Sequence, residues 1–137
     1  MSEISWRIVD RRPLLPVLIL SPDVNDLRTV DAVALVDTGA TASAVTRDLA
    51  ERLALPVIGK RLVASAHGDQ HVDRYIFRIG IRLPREGEMP AFPFVFEAVE
   101  GFRIRSGFAF DALLGMDVLS QCDLTISGGQ TGILRFG

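Results

Sequence analysis

The chain has 137 residues, 48% hydrophobic and 23% charged, values that exclude disorder from end to end and suit one ordinary core. Its 15 basic and 17 acidic residues leave a net charge of −2, too balanced to gather nucleic acid or an anionic membrane, and short stretches such as Arg11-Arg12 and Arg103-Ile104-Arg105 read as solvated faces. A single cysteine, Cys122, excludes an internal disulfide, and no Cys/His cluster has metal-ligand spacing, so a reducing cytoplasm and no metal are expected.

In chain order, Ile4, Trp6 and Ile8 alternate with polar neighbours and predict a first strand. Residues 14–20 predict a second, in which Pro16 favours a sheet edge. This run is too short for a membrane span, and no small-residue cleavage site follows it, so neither an anchor nor a signal peptide is expected. Residues 21–26 have turn chemistry, and 30–36 form a nearly continuous apolar run expected to be buried on both faces. Thr46 is placed to N-cap a short helix over 47–53, with Asp48 near its positive end and Pro56 beyond its last turn.

The segment 61–66 predicts a strand, joined by the hairpin-tip composition His67-Gly68-Asp69-Gln70 to a long half-buried one. There Tyr75, Phe77, Ile79, Ile81 and Leu83 are apolar, while the intervening Arg74, Arg78 and Arg82 are charged. A proline- and charge-rich loop over 84–93, a strand over 94–99 and a second loop over 101–107 follow. The end reads as strand 110–114, helical turn 116–120, strand 124–127, a turn at Gly128-Gly129 and strand 133–136. Residues 1–137 are therefore expected to form a single, mostly-β domain with one or two short helices.

Two segments interrupt strands with glycine or charge where an apolar run would otherwise continue. In Ala34-Leu35-Val36-Asp37-Thr38-Gly39-Ala40 a carboxylate sits at the mouth of an apolar strand, and in Ala112-Leu113-Leu114-Gly115-Met116-Asp117 glycine stops another. Burying that carboxylate is unfavourable unless it is hydrogen-bonded or shares a proton, and glycine lets backbone turn tightly against it. The two segments suggest crossing strands that meet at Asp37.

Asp37-Thr38-Gly39-Ala40, with Leu113-Leu114-Gly115-Met116-Asp117 about 75 residues later, resembles the single-domain, retropepsin-like aspartic proteases. The similarity continues through Val118-Leu119, Cys122-Asp123-Leu124-Thr125-Ile126 and Ile133-Leu134-Arg135-Phe136, and the His67-Gly68 hairpin falls where such proteins carry a flap. The resemblance implies a closed β-barrel with one lobe per chain and a homodimeric aspartic endopeptidase acting on peptide or unfolded protein. Neither cofactor, nucleic acid nor membrane has a part in it. Asp37, Thr38 and Gly39 are the implied catalytic residues, and Ala40, His67 and Gly68 the implied substrate-facing ones. Two Asp37 carboxylates, one per protomer, would share a proton and activate a water between them. Thr38 would tie the two catalytic loops together, and Gly115 would let its strand pack behind the first.

Several residues have plainer readings. His67 and His71 suit exposed hairpin positions, Asp117 a structural cap, Cys122 a small core residue, and Phe92, Phe94 and Phe96 core or wall. The sequence also departs from viral members, which carry an acidic residue and an arginine where Thr41 and Met116 stand here. That pair near the viral dimer interface has no counterpart, and the C-terminal hairpin is similar to the cellular and retroelement branch. The alternative to an enzyme is a non-catalytic peptide-binding or dimerisation module on the same fold.

Overall fold

The computed structural model describes residues 1–84, 87 and 92–137. The loop expected over 84–93 therefore lies, at 85–86 and 88–91, outside the described residues. The strands are β1 (Ser2–Arg7), β2 (Leu14–Leu20), β3 (Thr29–Val36), β4 (Ala44–Thr46), β5 (Val57–Ser65), β6 (Gly68–Ile81), β7 (Phe94–Ile104), β8 (Ala112–Leu114), β9 (Cys122–Ser127) and β10 (Thr131–Phe136). Helix α1 (Arg47–Arg52) follows β4, and α2 (Met116–Leu119) follows β8.

A small antiparallel sheet has the order β1-β10-β9. The larger sheet runs β2-β3-β8-β4-β7-β6-β5, and β2 also pairs with β6 through Leu18↔Gly80, Ile19↔Ile79 and Leu20↔Arg78. That pairing closes six strands into a ring and leaves β5 outside it as one arm of the β5–β6 hairpin. The mostly-β class with two short helices is as expected. One hydrophobic cluster fills the ring and reaches the small sheet, with Phe77 and Leu114 from the former and Leu134 and Phe136 from the latter. Each such side chain, fully buried, contributes about 1.5–3 kcal/mol. Among the described residues no helix is long and apolar enough to cross a membrane.

Local chemistry accounts for most boundaries. Thr46 caps α1 by accepting the Leu49 N–H at 3.4 Å, Asp48 lies in the first turn, and Arg47 and Glu51 pair at 2.9 Å one turn apart. All of β2 runs beside β3, but Pro16 lies in its first half, outside the segment that also pairs with β6, where a missing N–H is tolerated.

Four expectations are corrected. β3 is not buried on both faces: Val30, Ala32, Ala34 and Val36 point inward, while Asp31 faces out to meet Arg82 at 2.7 Å. Arg78 is not on a solvated face but buried, because the chain between β2 and β3 folds over it. The loop predicted over 101–107 is strand as far as Ile104. Gly101 does not end β7 but permits a close approach, since a Cβ there would lie 2.6 Å from the Phe77 ring and 2.8 Å from the Ser43 carbonyl oxygen. Finally, the hairpin turns at Ala66-His67, with Gly68 already pairing as the first residue of β6.

Candidate active site

Two parallel strands build the site. β3 and β8 align as Ala34↔Ala112, Leu35↔Leu113 and Val36↔Leu114, so both apolar runs end at the same level. The ladder continues one step further, where the Asp37 N–H donates to the Leu114 carbonyl at 2.9 Å. At the other end Asp111 locks the register: its Oδ1 accepts the Val33 N–H at 2.7 Å, and its own N–H donates to the Val33 carbonyl at 3.0 Å. β4, antiparallel to β8 and parallel to β7, inserts on the far side of β8.

Beyond β3 the backbone turns back on itself. The Gly39 N–H donates to Asp37 Oδ1 at 2.9 Å, and the Ala40 N–H donates to the Asp37 carbonyl at 3.2 Å. The Asp37 side chain is half-buried, whereas Thr38 and Gly39 are exposed. Ala40, half-buried, fastens this loop to the second segment by accepting the Met116 N–H at 2.8 Å. The contact is so close that a Cβ on Gly115 would lie 2.5 Å from the Ala42 carbonyl carbon and oxygen. Only glycine fits where the two segments cross.

A buried polar unit lies beneath the crossing. Ser43 is fully buried; its hydroxyl donates to Asp117 Oδ1 at 2.7 Å and accepts the Gly115 N–H at 3.1 Å. Asp117 Oδ2 accepts the Ser43 N–H at 3.0 Å, and Oδ1 takes the Val118 N–H at 2.9 Å. Asp117 is thus structural, as expected, but it braces the crossing beneath the Asp37 loop rather than capping α2, whose N-cap is Gly115.

The β5–β6 hairpin meets this loop through Arg61, whose Nη2 donates to Thr41 Oγ1 at 3.0 Å. His67 and Gly68 are exposed at the hairpin's outer end, Gly68 with φ +101°. Lys60 and Asp73 pair across the hairpin, and this ammonium holds the Asp73 carboxyl below its ordinary range. Burial pushes the Cys122 thiol up to about 11, with the Asp123 charge adding to it, which leaves a neutral sulfur and no nucleophile. Among the described residues no group of three or more His, Cys, Asp and Glu could hold a metal ion.

Asp37, Thr38, Gly39 and Ala40 therefore lie together with Gly115, while His67 and Gly68 belong to the hairpin tip. Sequence reasoning missed Ser43, Arg61 and Asp111. Ser43 carried a signal, a lone hydroxyl in the apolar run Ala42-Ser43-Ala44-Val45; Arg61 and Asp111 looked like ordinary surface charges.

An aspartyl protease family model matches residues 20–118, most of the chain and both glycine-stopped segments. No curated protein matches. Among solved structures, a retropepsin-like aspartic protease from Rickettsia conorii is similar with a TM-score of 0.65 and 18% identity, covering 98% of this chain and 91% of that one. EIAV protease in complex with the inhibitor HBY-793 matches with a TM-score of 0.48 and 19% identity, over 82% of this chain and 88% of that one. The retroviral protease-like domain of Ddi1 from Leishmania major gives 0.43 and 23%, over 84% and 82%. The Rickettsia likeness shows the fold, the family match covers the crossing segments, and the chain is a member of the aspartyl protease family with a retropepsin-like fold.

Proposed function

We propose that this chain is an aspartic endopeptidase that works as a homodimer, with residues 1–137 as one domain and Asp37 supplied once by each protomer. The observation that carries this reading is the setting of Asp37. Its half-buried carboxylate stands on a braced loop, takes one backbone N–H at Oδ1, and has no second carboxylate bonded to it among the described residues. A lone carboxylate is a weak catalyst for amide hydrolysis; a pair that shares one proton supplies a base and an acid together.

In that dimer, Asp37 takes a proton from water as the water oxygen bonds to the scissile carbonyl carbon. Asp37 of the partner subunit, protonated, donates to the carbonyl oxygen. Collapse of the tetrahedral diol breaks the C–N bond as Asp37 gives its proton to the leaving nitrogen and one diol hydroxyl returns a proton to Asp37 of the partner subunit, so the pair is back in its starting state. Thr38 and Gly39 shape the loop around the carboxylates, and Ala40, His67 and Gly68 border an extended peptide bound as an added strand. No cofactor takes part. The lone, neutral Cys122 suits a reducing, cytoplasmic setting.

The test compares wild type with Asp37→Asn on a mixed peptide library at several pH values, with mass followed by light scattering. Cleavage by wild type, and its loss in a folded, dimeric Asp37→Asn protein, is expected. A wild-type dimer that binds peptides but cleaves none at any pH would overturn the peptidase and leave the binding module.

A further inference from the structure

The β5–β6 hairpin presents one face to the catalytic loop. Along β5, Arg61 and Val63 are half-buried while Leu62 and Ala64 are exposed, so Arg61 and its cross-strand partner Val72 lie on the inward side. Among the described residues the Arg61 guanidinium makes two contacts, both around that loop. One is Thr41 Oγ1 at 3.0 Å, four residues past Asp37. The other is the face of Phe102, with the guanidinium carbon 5.1 Å from the ring centroid, and the Phe102 N–H in turn donates to the Ser43 carbonyl at 3.1 Å.

Both partners are neutral. Arg28, Arg47, Arg52, Arg74, Arg82 and Arg135 each have a carboxylate within 4.0 Å; Arg61, like Arg7, Arg11, Arg12, Arg78, Arg103 and Arg105, has none among the described residues, and it is bonded to the loop that carries Asp37. A half-buried guanidinium that spends one donor on a hydroxyl and one face on a ring keeps further N–H groups, in a rigid fork that matches a carboxylate. Its bond to Thr41 sets it where the hairpin meets the loop that carries Asp37, beside the path an extended substrate would take under the peptidase reading.

We propose that Arg61 is a specificity-determining residue that selects peptides bearing a carboxylate side chain near the scissile bond. The inference rests on the peptidase reading above and names its substrate class: extended peptides with Glu or Asp in the subsite bordered by Arg61, Thr41 and Phe102. The hydroxyl and the ring fix the guanidinium in place, so little side-chain freedom is lost when the carboxylate arrives.

The experiment measures kcat/KM on matched peptides carrying Glu, Gln or Lys at each position flanking the scissile bond in turn. Wild type is expected to favour Glu over Gln at one position by about tenfold or more, the scale of a charge-assisted hydrogen bond. This preference shrinks as salt rises. Arg61→Gln erases it while retaining cleavage of the Gln peptide, Arg61→Lys keeps its sign at reduced size, and Arg61→Glu turns it toward Lys. Equal rates for Glu and Gln in wild type, or a loss in every variant that ignores substrate charge, overturn the specificity role and leave the peptidase standing. Wild type that cleaves no member of the set defeats the peptidase reading and this inference with it.

Discussion

At the scale of single residues, the candidate site depends on a hydroxyl that does no chemistry. Ser43 satisfies the Gly115 N–H and one oxygen of Asp117 at once, inside the core, where an unpaired polar group is unfavourable. Ser43→Ala removes both bonds and strands the Gly115 donor beneath the loop that carries Asp37. The expected loss is about 2–3 kcal/mol, read as a lower urea midpoint with unchanged slope. A loss below about 0.5 kcal/mol would show that Asp117 holds the loop without the hydroxyl. Asp37, Thr38, Gly39 and Gly115 were legible because each is an exception to an apolar strand. Asp111 was not, and Ser43 stood out only as a hydroxyl in an apolar run; their partners lie 78 and 72 residues away, a distance no local pattern bridges.

At the scale of elements, periodicity predicts which side chains point inward but not what covers the outward face. The alternation in β6 correctly buries Tyr75, Phe77, Ile79 and Ile81, yet its outward face is covered at Arg78. There the guanidinium donates to the carbonyls of Ser21 at 2.6 Å, Asp23 at 3.0 Å and Asp26 at 3.3 Å, gathering the β2–β3 connection over the sheet. Nearby Asp26 is held down to about 2 by hydrogen bonds from Arg28, so this connection keeps its charge pair across ordinary pH. Arg78→Ala leaves those carbonyls unpaired and a gap above β6, and is expected to destabilise the fold by about 2–4 kcal/mol. Arg78→Lys should recover only part of this, since a point charge cannot reach the carbonyls as a fork does. Equal thermal midpoints for wild type and Arg78→Ala would show that β2–β3 closes without it. β4 escaped prediction for a different reason: three residues, all buried, carry no period. β7 escaped in part because Gly101 has the look of a strand end, whereas its missing side chain makes room for Phe77.

At the scale of the whole molecule, the ring closes through pairs far apart in sequence, β2 with β6 and β3 with β8, which strand patterns alone do not select. The mostly-β class was legible from alternation and a closed barrel from the resemblance carried by the two segments, whereas the strand order was not legible. That order leaves one Asp-Thr-Gly loop per chain, and the proposed chemistry needs two. Mixing therefore separates a dimeric catalyst from a self-sufficient monomer. When wild type and Asp37→Asn protein are mixed in equal amounts and allowed to exchange subunits, random pairing leaves about one quarter of the dimers with both carboxylates. Activity per mixture, measured at fixed total protein, should then fall to about one quarter of the wild-type value, whereas independent monomers would retain about one half. Adding more Asp37→Asn protein to a constant amount of wild type should suppress cleavage further, since each mutant chain that pairs with a wild-type chain removes its second carboxylate. Activity that stays proportional to the wild-type chains alone, under conditions where subunit exchange is demonstrated, would place a complete catalytic site within one chain and refute the shared pair.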